Sequence, residues 1–250
     1  MKALIDGDIV AYRCSASCMP TKAKPQEESL EDALSRIEFL MSRIKEETHT
    51  ESCLVAIGGE GNYRNTIYPP YKANRIGKKR PTHLEACKKF LQDNYNTQVT
   101  CGIEADDLLG IEQTDDTVIC SIDKDLLQIP GKHYNFVKQE WKDVDELSGL
   151  RSFYKQIITG DASDNVPGFD GALRTTTPLF VLGLLEPLDS YLTEYEMYRY
   201  VRDVYADAWA WTEDWEAQLH INAKLLFIQR KERKMWEPPN LGLTEENIAS

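Results

Sequence analysis

Thr117-Val118-Ile119-Cys120-Ser121-Ile122-Asp123-Lys124-Asp125 is a mostly apolar, β-branched run that stops abruptly at two acids. Such a run, too short for a helix, reads as a buried strand ending at Asp123. Working back along the chain, Glu104 to Gln113 reads as a helix and Val99 to Cys101 as a brief strand. Thr82-His83-Leu84-Glu85, just after Pro81, has the spacing of a capping box opening a helix toward Tyr95. Cys53 to Ile57 is a further strand, closed by Gly58-Gly59. From Ser29, apolar Leu30, Leu34, Ile37, Met41 and Ile44 recur at steps of four and three, an amphipathic helix. Ala3-Leu4-Ile5 is a buried strand, and Asp6-Gly7-Asp8 a polar turn after it. Strands alternating with helices predict an α/β fold around a parallel sheet.

On the other side of the run, the apolar steps beyond Trp141 are helical and place Leu150, Tyr154, Ile157 and Ile158 together. Gly160-Asp161-Ala162-Ser163-Asp164-Asn165-Val166-Pro167-Gly168 interrupts as a loop. Helical segments follow, the last with Ile221, Leu225 and Ile228. The expected organisation is an α/β core over residues 1–150 and a helical region over 151–250.

The chain has 250 residues, enough for one or two domains with a core that needs no disulfide staples. Acids outnumber bases 41 to 29, which argues against a protein that coats nucleic acid by bulk charge. It leaves room for carboxylates gathered around metal ions, because bound cations invert the local field. No segment has the makings of a signal-peptide core or a membrane span. The six cysteines form no CxxC pair. Cys53, Cys101 and Cys120 read as small buried residues in a reducing, cytoplasmic setting. The four histidines show no metal spacing.

In an open parallel sheet, functional groups collect beyond the carboxyl ends of the strands. Asp6 ends one strand, and Asp123 and Asp125 follow another. Glu104, Asp106 and Asp107 open a helix after a third, and Asp161 and Asp164 lie in the later loop. Eight carboxylates brought together would repel one another unless hard divalent cations relieved them. Oxygen-only ligands suit Mg²⁺ or Mn²⁺. Two such ions about 4 Å apart serve an in-line phosphoryl displacement.

The segment from Tyr71 to Arg80 holds five positive charges and no acid. Lys72 and Arg75 are candidates to stabilise charge on a phosphate, and Lys78, Lys79 and Arg80 to bind phosphate oxygens. Tyr71 is a candidate platform for a base or sugar.

LIDGDIVAYR (4–13), IYPPYKANR (67–75), GIEADDLLG (102–110), SIDKDLLQIPG (121–131) and GDASDNVPG (160–168) occur in one order. Together they resemble the 5′-to-3′ exonuclease and flap endonuclease family, especially its bacteriophage members. The resemblance implies a PIN-like nuclease fold with helices on both faces of the sheet and a two-metal site. It implies a first metal group of Asp6, Glu104, Asp106, Asp107 and Asp123, a second of Asp125, Asp161 and Asp164, and Lys72 as the active-site lysine with Arg75 close by. The expected reaction is phosphodiester hydrolysis near a 5′ end. Expected substrates are duplex, flap or gapped DNA or an RNA–DNA hybrid, with no membrane partner.

Three departures stand out. Gly58 occupies a position that is aspartate in many members, with Glu60 the candidate substitute. The segment between Arg75 and Glu104 is short for an arch that threads a strand. The hairpin motif keeps Gly168 and Gly171 for duplex phosphates, but Leu173 replaces its last glycine, which puts an associated K⁺ in doubt. Thr175 to Thr177 offer hydroxyls or a helix cap.

Two rival readings compete. Asp6-Gly-Asp8 also suits a haloacid-dehalogenase-type phosphatase with Asp6 as nucleophile. The altered positions also suit a catalytically inactive acidic protein that binds DNA or a protein partner.

Overall fold

The computed structural model describes residues 1–169, 178–208 and 214–239. It comprises two compact units. One is Met1–Thr66, Arg75–Asp145 and Ile228–Lys234; the other holds the described parts of Ile67–Asn74, Glu146–Phe227 and Met235–Ser250. The sequence passes from one unit to the other after Asp145, and Ile67–Asn74 and Ile228–Lys234 each belong with the unit remote from them in sequence.

The first unit is built on a six-stranded sheet. Its strands are β1 (Lys2–Asp6), β2 (Ser52–Glu60), β3 (Thr97–Cys101), β4 (Thr117–Cys120), β5 (Gly131–Asn135) and β6 (Glu140–Val144), in the order β3-β2-β1-β4-β5-β6. β1 to β5 are parallel and β6 returns antiparallel to β5. The β5–β6 hairpin was not anticipated. Its Gly-Lys-His-Tyr-Asn and Glu-Trp-Lys-Asp-Val strands lack an apolar run, and most of β6 is exposed.

Alternation along the central strands divides the apolar residues between two cores. Ala3, Ile5, Val55, Ile57, Val118 and Cys120 pack on one face against α1 (Gly7–Ala16), α2 (Leu30–Glu47) and α4 (Leu84–Asn94), through Val10, Ile37, Met41, Ile44, Cys87 and Leu91. Between β2 and α4 lies α3 (Arg64–Ile67), a single turn. Leu4, Leu54, Ala56 and Ile119 pack on the other with Leu108 and Leu109 of α5 (Ala105–Glu112), and with Leu126, Ile129 and Ile228. A fully buried aliphatic side chain contributes roughly 1.5–3 kcal/mol. Helices therefore cover both faces, as expected.

Two local expectations are corrected. Asp6-Gly7-Asp8 is a helix start rather than a turn, with Asp6 as the N-cap of α1. The capping box at Thr82 does not form. α4 begins a residue later than that pattern requires, at Leu84, after an N-cap His83 that makes no side-chain cap bond. A capping box does form at Ser29 and Asp32, which start α2. Cys101 is exposed, while Cys53 is half-buried and Cys120 buried.

The second unit contains α6 (Glu146–Thr159), α7 (Pro178–Leu185), α8 (Glu194–Ala208) and α9 (Trp215–Leu226). Phe153, Tyr154, Ile157, Met197, Val201, Tyr205, Leu219 and Ala223 form its core. Asn222 is buried there, and its Nδ2 donates to Gly168 O (2.9 Å) and Tyr205 Oη (2.8 Å). No helix among the described residues is long and apolar enough to cross a membrane.

Candidate active site

The chain leaves β1 for β2 on one side and reaches β4 on the other, so the sheet has its topological switch point between β1 and β4. Ligands in open α/β sheets bind at that point. Asp6 stands there, only 3% exposed. One of its oxygens accepts the Ile9 amide (3.0 Å), and the other accepts the Ser121 hydroxyl (2.8 Å). Ser121 Oγ in turn accepts the Asp123 amide (3.0 Å), and Asp123 Oδ1 accepts the Asp125 amide (2.9 Å). One chain of bonds thus ties three predicted acids to the ends of two adjacent strands. Burial pushes the Asp6 carboxyl up to about 7. Its bonds to Ile9 and Ser121 pull the other way, and the charges of Asp8 and Asp123 add to the rise.

Gly7 makes the geometry of α1 available. A Cβ there would stand 2.6 Å from Val55 Cγ1 and 2.8 Å from Ala56 O, so only glycine lets the helix start so close to β2. Asp8, one residue on, accepts the Gly58 amide (2.8 Å) and faces Lys88 Nζ at 2.5 Å.

Glu104, Asp106 and Asp107 open α5 as expected. Asp107 is fully buried and Arg64 is 2% exposed. Arg64 donates from both terminal nitrogens to the two oxygens of Asp107, at 2.6 and 2.9 Å. Asp107 also accepts the Glu104 amide and the Gln229 amide, each at 3.0 Å. Glu104 lies 3.7 Å from Arg64 and accepts Asn62 Nδ2 at 2.7 Å. Asp106 is half-buried. Grouped from the sequence with the metal ligands, Asp107 instead has both oxygens held by protein donors.

In the second unit, the 160–168 loop folds on Tyr71 to Asn74. Gly160 and Gly168 both take left-handed backbone, and Asp161 and Val166 pair through two backbone bonds of 2.9 and 2.8 Å. Asp164 O accepts the Lys72 amide (2.8 Å), and Asp164 Oδ2 lies 3.3 Å from Lys72 Nζ. Asn74 Nδ2 donates to Ala162 O (2.7 Å), and Asn165 Nδ2 to Pro70 O (2.8 Å). Asp161 Oδ1 accepts the Ser163 amide. Tyr71, which the sequence allows as either a packing residue or a stacking platform, is 5% exposed and donates its hydroxyl to Asp164 Oδ2 (2.9 Å). It is a packing residue that orients an acid. Gly168 is likewise buried, while Arg75, Lys78, Lys79 and Arg80 are exposed. Gly171, Leu173 and Thr175 to Thr177 lie outside the described residues.

Among the described residues, no three His, Cys, Asp or Glu side chains are gathered as an ion cage as they stand. The donor chemistry nevertheless fits a hard cation. Asp6, Asp8 and Asp123 offer only carboxylate oxygens at one strand edge, and the groups bonded to Asp6 are neutral. Sequence reasoning missed Asn62, Arg64, Lys88 and Ser121. Arg64 lies in a mostly polar stretch, Asn62-Tyr63-Arg64-Asn65-Thr66-Ile67, which gives no local signal of its burial. Its partner lies too far along the chain to be paired by eye.

A sheet of this order, with acids at its switch point and an acid-opened helix beside it, is an open α/β fold with its candidate site at the carboxyl edge. Residues 1–156 match the family model described as 5′-3′ exonuclease, N-terminal resolvase-like domain, and the chain belongs to that family. It is 27% identical over 199 residues to a 5′-3′ exonuclease of Buchnera aphidicola subsp. Schizaphis graminum, covering 72% of this chain and 68% of that protein. It is 36% identical over 132 residues to a DNA polymerase I of Rhizobium leguminosarum, covering 44% of this chain but 12% of the polymerase. Among solved structures, it resembles the T5 5′-exonuclease with divalent metal ions (zinc) bound. That match has a TM-score of 0.52 and 15% identity, over 91% of this chain and all (100%) of the other. The T5 D15 protein co-crystallised with metal ions gives a TM-score of 0.51 and 14% identity, over 90% and 97%. At such identities these structures establish the fold. Family membership sets aside the phosphatase reading.

Proposed function

We propose that this family member hydrolyses phosphodiester bonds near DNA 5′ ends with two divalent cations, Mg²⁺ or Mn²⁺. The observation that carries this reading is the bonded series Asp6–Ser121–Asp123–Asp125 at the switch point of the sheet. Bound cations would activate an attacking water and stabilise the departing 3′-oxygen. Asp6, Glu104, Asp106 and Asp123 would hold the first ion, and Asp125, Asp161 and Asp164 the second. Asp107 anchors Glu104 through the α5 cap, and Tyr71 orients Asp164. Lys72 and Arg75 hold and polarise the scissile phosphate. Exposed Lys78, Lys79 and Arg80 follow the DNA backbone. The substrate is a duplex with a 5′ end, a flap or a gap, with RNA–DNA hybrid as a variant. The six free cysteines support action in a cytoplasm, that of the host for a phage-encoded enzyme.

The test is incubation of 5′-labelled duplex, flap and single strand with Mg²⁺ and with EDTA. Cleavage near the 5′ end, abolished by EDTA and by Asp125→Asn or Asp164→Asn, is expected. Undiminished turnover with EDTA or in both variants refutes the reading.

A further inference from the structure

Asp8 and Gly58 fit one another in a way that gives Asp8 a task. Asp6 pairs with Ala56 across β1 and β2, so residues just beyond these positions share one carboxyl edge. Asp8 sits in the first turn of α1 and turns its carboxylate across that edge. Its Oδ2 accepts the Gly58 amide at 2.8 Å. A Cβ built on Gly58 would stand 2.9 Å from the same oxygen, and no other side chain comes closer than 4 Å to it. The room in front of residue 58 is thus held by the carboxylate of Asp8. Glu60, the substitute suggested by the sequence, is exposed at the end of β2.

We propose that Asp8 is a further carboxylate of the ion site at the edge of β1 and β2, kept in place by Lys88 until a divalent cation displaces the ammonium. This rests on the metal-dependent reading above. The remaining oxygen of Asp8 is held by Lys88 Nζ at 2.5 Å, from α4. Lysine is a compact monovalent charge on a flexible stem, so it can leave without disturbing the helix that carries it. A hard divalent cation offers the same oxygen a stronger partner. The competing view makes Asp8 and Lys88 merely a clasp between α1 and α4. The two views differ in what they predict for cation affinity.

The experiment titrates the full chain, without DNA, with Mn²⁺ alone and follows free Mn²⁺ by electron paramagnetic resonance. Thermal melting in EDTA checks each variant for folding. Asp6→Asn tests the metal-dependent reading itself and is expected to lose binding. Asp8→Asn is expected to weaken Mn²⁺ binding at least tenfold, and Lys88→Met to tighten it. Asp8→Ala should also weaken binding, and adding Gly58→Asp to it, in the room vacated, should restore most of the loss. Unchanged affinity in Asp8→Asn, or a double variant no better than Asp8→Ala, overturns the proposal while leaving the metal reading intact. A wild-type chain that binds no Mn²⁺ overturns both.

Discussion

Arg64 and Asp107 meet through two parallel hydrogen bonds of 2.6 and 2.9 Å, in a place where neither is more than 2% exposed. The pair joins the segment after β2 to the start of α5, and Asp107 also receives the amide of Gln229. Breaking a buried pair from one side leaves an uncompensated charge, which costs about 3–5 kcal/mol. Arg64→Ala is therefore expected to lower stability by about that much in urea denaturation. Asp107→Asn should also destabilise, and its effect on Mn²⁺ affinity should be small beside that of Asp6→Asn. A stable Arg64→Ala chain would show that the pair anchors nothing.

Tyr71→Phe keeps the ring and removes the hydroxyl that donates to Asp164. If Tyr71 orients that acid, turnover should fall by about 2- to 10-fold, the worth of one ordinary hydrogen bond, with little change in KM. If the ring served to stack on a base, the phenylalanine would do as well and kinetics would not move. Steady-state kinetics on a duplex substrate decide.

His133 is buried, and burial holds its imidazole below the usual value of 6.5; Lys142 lowers it further, while the bond to Ile129 O and the charge of Asp143 oppose. The unfolded chain takes up a proton near 6.5 that the folded chain refuses. The stability due to this group is therefore full above 6.5 and is lost as pH falls through the lowered folded value. The slope is at most about 1.4 kcal/mol per pH unit. His133→Gln should flatten the fall in urea midpoint between pH 7.5 and 5.5. An unaltered pH profile would assign the dependence elsewhere.

Gly77 and Gly168 both have left-handed backbone, but their surroundings differ. A Cβ on Gly77 meets nothing within 4 Å, whereas one on Gly168 would stand 2.5 Å from Gly160 N and 2.6 Å from Ile158 O. Gly77→Ala should cost only the backbone conformation, about 1–2 kcal/mol. Gly168→Ala should cost clearly more and loosen the loop that carries Asp161 and Asp164. Equal melting temperatures for the two variants would contradict this.

The strands at Ala3, Cys53 and Thr117 were legible because each is a short apolar run stopped by acid or glycine, and burial on both faces demands such a run. The β5–β6 hairpin was not, since an edge strand needs no apolar face and can be polar throughout. Asp6 and Asp123 could be named as strand-end acids. That Ser121 would bridge them could not, because a serine hydroxyl gives no periodic signal.

From residue order alone came the parallel sheet, the acids at its carboxyl edge and the family to which the chain belongs. These follow from local patterns, strand-length apolar runs and fixed short motifs. Which acid is taken up by protein donors was decided only in three dimensions. Asp107 and Asp106 are neighbours of the same type, yet Arg64 closes on Asp107, and Asp8 rather than Glu60 fills the room before Gly58. Pairings between remote segments depend on how strands and helices pack, and the packing has no trace in the spacing of the residues it joins.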